Sequence, residues 1–576
     1  MDGVTLSLMN SFATEYDLFH LANDKKFEHF TAFSIVSSIH SEEFDTHELV
    51  TGNGGDLNVD SFAIIVNGRL IHDADTVDEL LEMNGHLDVE FIIIQAKTSS
   101  KFDGAMIIAL GNNVRKEVFG SEQLLPRNEE INRFISIKDR IYDNASRLKG
   151  NPKCRLYYAC TGSWNNDVYI SSVIEGIIRD FDDMNLFSRV TFTPIGAREI
   201  QTMYRDTKTS ISKQVEFDKL VTLPSIGEVS ASYLGVLPVK EFLKLITDGN
   251  DNIVKSIFID NVRDFQGDNP VNSDIAKTIK EGFFDQFVLR NNGITIVARD
   301  IKVTSNKYTI SDYQIVNGCQ TSHVVYAHRE IVSDDMFLPV KLIQTDNDEI
   351  AQSVIRSTNK QTIVDDNELL ALTQFQRNLE DYFSGMHGDS KLYYERRAKQ
   401  YANVIGIEKG RIISIGLQLK AFSSMFLGAT HQAGRYQGTL LKSVNGQVFQ
   451  EKHRPEPYYL AAYSFYRFEL ALRRLAVEDR IYRVFKYYLL LGFRFRFEEI
   501  KYPGAGSKNI GKYCDVLGAH LLDMTSVRNA FEECIDILSE SLSNVNLPLE
   551  RESAKSRPLA QEVERLAKSR NSAENE

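Results

Sequence analysis

Phe27, Phe30, Phe33, Val36 and Ile39 recur at near-helical spacing and predict an early helix. A strand is expected at about Asp60–Val66. The dipeptide Asn67-Gly68 then signals a two-residue hairpin returning through Arg69–Ile71. Asp75 should cap a short helix through Leu80 and Leu81 that stops at Gly85. Val89–Lys97 is apolar on both faces, the mark of a central buried strand. Helical patterns at Ile131–Ile141 and Val168–Phe181 alternate with strands at Leu156–Tyr158 and Val190–Phe192, so residues 1–215 read as an α/β domain.

Residues 216–380 read as a second, mixed α/β domain. Its expected elements are a hairpin of Gly293–Val303 with Tyr308–Val316, a helix over Gly318–Glu330 and a strand over Leu338–Thr345. Beyond about residue 346 the pattern is mostly helical, with amphipathic stretches at Glu368–Met386 and Pro457–Leu491. Residues 381–547 are therefore expected to form a helical domain. The segment 548–576, with Arg551, Glu552, Lys555 and Arg557, offers too few apolar residues to pack and is expected to be a flexible tail.

A chain of 576 residues exceeds what one core supports, which agrees with this division. Hydrophobic residues at 43% and charged residues at 25% exclude a largely disordered chain. No apolar run approaches the roughly 18 residues that span a bilayer, and the first residues lack the pattern of a secretory signal. The expectation is a cytoplasmic protein with no membrane partner. Five cysteines without metal spacing argue against a disulfide framework and a zinc site.

The net charge of −13 tilts against a wholly basic nucleic-acid surface, yet basic residues collect locally. Arg396, Arg397, Lys399 and Lys409 lie within Lys391–Arg411, and Arg473, Arg474, Arg480, Arg483, Lys486 and Arg494 within Arg467–Arg496. Nucleic-acid affinity is expected there, with an internal ion-pair network around Tyr394, Glu395 and the arginines as the competing account. The aromatic residues Tyr458, Tyr459, Tyr463, Phe465, Tyr466 and Phe468 read as packing faces rather than base-stacking platforms.

Chemistry concentrates in Gly54-Gly55-Asp56-Leu57-Asn58-Val59-Asp60 and Ile92-Ile93-Ile94-Gln95-Ala96-Lys97. Strand side chains alternate, so Gln95 and Lys97 project from one face at the end of an otherwise apolar strand. An aspartate at the start of a neighbouring strand falls within reach of that lysine. Metal-dependent phosphodiester hydrolysis needs such oxygen ligands beside a cation that steadies developing charge.

Helix, aspartate, hairpin and Gln-x-Lys in this order resemble the PD-(D/E)xK restriction-endonuclease-like fold, in its Mrr-like branch where glutamine replaces the last acid. The resemblance implies Asp60 as chief metal ligand, Gln95 at the second ligand position, Lys97 as catalytic lysine and Glu28 as a further acid from the first helix. Asp56 and Glu48 are additional candidates. It also implies Mg²⁺ (or Mn²⁺) as cofactor, DNA as substrate with RNA as the alternative, and a homodimer. Neutral Gln95 keeps open a different class of function, a nucleic-acid or nucleotide sensor whose nuclease domain is degenerate.

A second resemblance rests on Phe258–Arg263, Arg290-Asn291-Asn292-Gly293, Gln314–Ser322, Ser357–Gln361, Tyr393–Arg397 and His431–Tyr436. Their order is similar to the AIPR family, the abortive-infection phage-resistance proteins of bacteria, which implies anti-phage defence. Strand Tyr313–Val316 breaks at Asn317-Gly318 into a helix whose first turn offers free N–H groups and polar side chains suited to a phosphate or carboxylate. Asn261, Arg263, Asn291, Asn292, Asn317, Gln320, Thr321, Asn359, Gln361, Arg396 and Arg397 are the candidate residues for a nucleotide, a phage-derived trigger or nucleic acid. The competing account is that the amide side chains simply fix buried loops. Gly506–Lys512 carries part of a phosphate-loop pattern, but Tyr513 stands where a Ser or Thr is required.

Overall fold

The computed structural model describes the chain apart from residues 41–43, 53, 121–123, 209–211, 218, 228, 248–252, 259–269, 348–349, 352, 355–356, 358–373, 397–399, 402–403, 405, 435–436, 445, 476 and 576. Helices α1 (Gly3–Glu15) and α2 (Asn23–Ser37) lead into β1 (Ser61–Val66) and β2 (Arg69–Ile71), α3 (Asp75–Asn84) and β3 (Val89–Lys97). Then come α4 (Gly104–Asn113), α5 (Glu129–Asp143), β4 (Lys153–Cys160), α6 (Val168–Asp182), β5 (Arg189–Ile195) and α7 (Ala197–Asp206). The sheet order is β2-β1-β3-β4-β5, antiparallel around β1 and parallel from β3 to β5.

The hairpin at Asn67-Gly68 forms as expected, both residues taking positive φ. Asp75 is corrected: it is the first helical residue of α3, and Asp73 instead accepts from the Thr76 N–H at 2.9 Å. Strand β3 is the reason the domain has three layers. Phe91 and Ile93 pack with Leu110, Phe134 and Ile177 on one side, and Ile92 and Ile94 with Phe27, Phe30 and Ile200 on the other. Both faces are thereby removed from water, which accounts for its unbroken apolar sequence.

The second sheet contains β6 (Ser212–Glu216), β7 (Lys219–Thr222), β8 (Ala231–Pro238), β9 (Ile294–Thr304), β10 (Lys307–Asn317) and β11 (Phe337–Gln344), ordered β6-β10-β9-β11-β8-β7. Helices α8 (Val239–Ile246), α9 (Pro270–Lys280), α10 (Phe287–Arg290) and α11 (Cys319–Ala327) belong to this unit, whose core joins Phe242, Ile279, Val325, Ile296 and Ile315.

The helical body follows, with α12 (Gln374–Ser384), a short pair β12 (Tyr393–Glu395) and β13 (Ile412–Ser414), α13 (Ile415–Leu427) and α14 (Gln437–Ser443). It continues through α15 (Glu456–Arg473), α16 (Lys486–Arg496), α17 (Ile510–Gly518), α18 (Met524–Asn544) and α19 (Arg557–Asn575). The expected α/β class with a helical C-terminal region therefore holds. Two details differ. Pro457–Leu491 is two helices, and α15 buries every residue from Leu460 to Glu469 instead of one stripe, because it lies between α13, α17 and α18. The segment 548–576 is also corrected. Leu559, Ala560, Val563, Leu566 and Ala567 follow helical spacing and bury α19 against α16 and α18, so few apolar residues suffice when all face one way.

Among the described residues no helix is long and apolar enough to cross a membrane.

Candidate active site

Asp60 immediately precedes β1, and antiparallel pairing places that end of β1 beside the last residues of β3. Ser61 lies opposite Ile94, and the Asp60 N–H donates to the Ile94 carbonyl at 3.0 Å. The Asp60 carboxylate accepts from the Ala96 N–H at 2.8 Å and from Lys97 Nζ at 3.1 and 3.4 Å. Only 4% of Asp60 is exposed. Burial raises its carboxyl above the ordinary range, against the opposing pull of Lys97 and the Ala96 N–H.

Gln95 stands two residues before Lys97, hence on the same side of β3. It is fully buried, and among the described residues neither Oε1 nor Nε2 has a hydrogen-bond partner. An unpaired buried amide costs about 1–3 kcal/mol, so its retention calls for a reason.

Glu28 approaches from α2, itself almost wholly buried. Lys25, one turn earlier, donates to both of its oxygens at 2.7 and 2.9 Å. Burial pushes the Glu28 carboxyl up to about 7; the Lys25 bond lowers it, Asp60 raises it further and Lys97 lowers it. Glu28 thus shares one electrostatic environment with Asp60 and Lys97. Among the described residues no three His, Cys, Asp or Glu side chains gather to hold a metal ion. Asp60, Glu28, Lys97 and Lys25 form the charged cluster, and Gln95 stands on β3 beside Asp60 and Lys97.

The other two acids fare differently. Asp56 accepts from the Asn58 N–H at 2.9 Å and still adds its charge to the field at Asp60. Glu48 turns toward the helical body, where Arg551 stands 3.9 Å away. Sequence reasoning missed Lys25, although its i,i+3 spacing to Glu28 on a helix was a usable signal. It also missed Thr51, whose N–H donates to the Asp60 carbonyl at 3.1 Å, and Asn128, which donates to the Thr51 carbonyl at 3.0 Å. Nothing local in the sequence marks those two.

The polar block of the second sheet is engaged within the fold. Asn291 accepts from the Gly293 N–H at 2.9 Å and donates to Thr321 Oγ1 at 3.2 Å, and Asn272 donates to Gln320 Oε1 at 2.7 Å. Gly318 has φ +99°, a backbone conformation that side chains rarely adopt, so the Asn317-Gly318 break calls for glycine. Asn292 is exposed and Asn317 half-buried. Asn261, Arg263, Asn359, Gln361 and Arg397 lie outside the described residues.

In the basic stretches, Arg396 pairs with Glu380 at 2.8 Å. Arg467, Arg494 and Arg496 are buried, and Arg494 donates to the carbonyls of Met425 and Phe426 near the end of α13, both at 3.1 Å. Sequence spacing shows that positive charges are near one another but not that helix ends and carboxylates will absorb them.

The fold is thus an α/β protein with a five-stranded and a six-stranded sheet and a helical C-terminal body. Residues 258–544, from within the second α/β unit through α18, match the family model described as AIPR protein. The N-terminal α/β domain lies outside the match. No curated protein and no solved structure matches the chain.

Proposed function

We propose that the N-terminal α/β domain is a Mg²⁺-dependent nuclease that hydrolyses DNA phosphodiester bonds, acting as the effector of an abortive-infection response. The AIPR match supports the defence role. The observation that carries the chemistry is Lys97 in contact with Asp60 while the buried Gln95 amide on the same strand has no partner among the described residues.

The donor set suits a hard cation. Asp60 and Glu28 are carboxylates destabilised by burial, which a cation would relieve, and Gln95 Oε1 is an oxygen without a hydrogen bond. These three residues would hold Mg²⁺ (or Mn²⁺), which supplies Lewis acidity toward a phosphate oxygen. Lys97, about a third exposed, reaches solvent, and it would turn from Asp60 to the phosphate as charge develops there. Lys25 balances Glu28 before any ion arrives. Cutting both strands of a duplex calls for two such sites, hence a homodimer.

The purified protein should nick supercoiled plasmid with Mg²⁺ and stop with EDTA. Asp60→Ala and Lys97→Ala should each abolish cleavage while the fold is retained. Equal cleavage by both variants would sink this assignment, and cleavage of RNA alone would make the protein a ribonuclease using the same groups. A second reading, a binding module with a degenerate nuclease domain, is favoured by the neutral Gln95 and the count of two carboxylates. Tight DNA binding with no cleavage under any divalent ion would select it.

A further inference from the structure

The segment Asp45–Thr51 touches the candidate site at one end and the helical body at the other. Thr51 donates its N–H to the Asp60 carbonyl at 3.1 Å and its hydroxyl to the Val59 carbonyl. Thr46 Oγ1 lies 2.8 Å from Nδ1 of His29, the neighbour of Glu28. From the same segment, His47 Nε2 is 3.5 Å from Arg483 Nη2, and Glu48 Oε2 is 3.9 Å from Arg551 Nη1. Arg133 secures it from behind, donating to the Glu48 carbonyl at 2.7 Å.

Further pairs join the same two parts of the molecule. Arg551 also lies 3.8 Å from Glu130, Lys555 is 2.5 Å from Asp75, Lys409 is 4.0 Å from Glu15, and Arg473 donates to the Tyr16 carbonyl at 3.2 Å. In these ion pairs the N-terminal domain supplies every acid and the C-terminal half every base. Each pair alone would contribute little, being partly exposed, but a network of one polarity on each side sets a docking register. Burial works against the Glu48 charge, yet Arg551, His72, Lys486 and Arg133 together hold its carboxyl below the usual range. Arg551 and Lys555 belong to the turn that leads into α19, so the C-terminal segment is anchored in the helical body and grips the N-terminal domain.

We propose that this charged seam is a tether that positions the candidate site: the helical body holds Asp45–Thr51, and through it the backbone at Asp60 and the helix turn beside Glu28. Thr51 is then a positioning residue for Asp60, and an event in the AIPR region that opens the seam would loosen the site. Only the consequence for cleavage rests on the nuclease reading. The tether itself is measurable without activity.

The test is hydrogen–deuterium exchange of the full chain, comparing wild type, the reversal Arg551→Glu with Lys555→Glu, and the swap that adds Glu48→Lys and Asp75→Lys to that reversal. Amides of residues 45–60 should exchange at least about tenfold faster in the reversal variant, as expected for local opening, and return to wild-type protection in the swap. Plasmid cleavage, run in parallel, should fall with the reversal and recover with the swap. If wild type cleaves nothing, the nuclease reading fails and the exchange still decides the tether. Unchanged protection over 45–60 in the reversal variant overturns the proposal. Should the reversal also expose α16 and α19, the swap decides alone: wild-type protection supports the tether and raised exchange overturns it.

Discussion

At the strand ends of the first sheet, Asp60, Gln95 and Lys97 face one another with an amide left unpaired and two carboxyls displaced upward by burial. At the strand ends of the second sheet, Asn291 stands before β9 and Gln320 and Thr321 after β10, but their side chains bond to Gly293, to Asn272 and to each other. The sequence signal is alike in the two places: polar residues at the ends of apolar strands. The energetics are opposite. In the second sheet the polar groups stabilise the loops that carry them. In the first, they stay under tension that a cation and a phosphate would relieve.

The sharpest way to break this contrast is catalytic. Asp60→Ala or Lys97→Ala should lower Mg²⁺-dependent cleavage by at least about a hundredfold, whereas Asn291→Ala should leave it unchanged. A variant of Asn291 that matched Asp60→Ala in lost cleavage would erase the distinction.

The next effect is on pH dependence without metal. A carboxyl whose folded value is about 7, above the ordinary 4.5, favours the folded state while protonated. Its contribution is fully present below the ordinary value and is lost as pH rises toward 7. In EDTA, Glu28→Gln should therefore remove a decline in stability on the order of 1–3 kcal/mol across that window. Parallel wild-type and variant stability curves from pH 4 to 8 would show that Glu28 ionises without strain.

Replacing Gln95 by leucine should raise stability by about 1 kcal/mol, since a buried unpaired amide is removed, and at the same time weaken Mg²⁺-dependent cleavage. Urea denaturation reads the first and a plasmid assay the second. A less stable Gln95→Leu protein would mean that the amide has partners in solution.

Smallest is the effect expected at Asn291. Its truncation to alanine removes one acceptor and one donor, for a loss of about 1 kcal/mol in urea denaturation. An unaltered midpoint would mean that those hydrogen bonds add nothing over hydration.

The glutamine, lysine and aspartate of the first domain were legible because strand period and hairpin geometry are local rules. Val89–Lys97 forms a strand with the limits its apolar run suggests, and period two alone puts Gln95 and Lys97 on one side. The register that brings Asp60 to Ala96 and Lys97 follows once β1 and β3 pair. Lys25 was within reach of the same local reasoning through its helical spacing to Glu28.

What tertiary structure decided was the fate of charge. Whether Arg396 or Arg494 meets nucleic acid, a carboxylate or the end of a helix depends on which elements pack beside it, and sequence spacing carries no such information. The same holds for Arg551 and Lys555, which look like part of a polar tail until α19 docks and turns them toward Glu48 and Asp75. Apolar patterning is determined locally because burial needs only one face of one element. The partner of a charge is determined globally, because a long side chain on a packed helix meets residues hundreds of positions away.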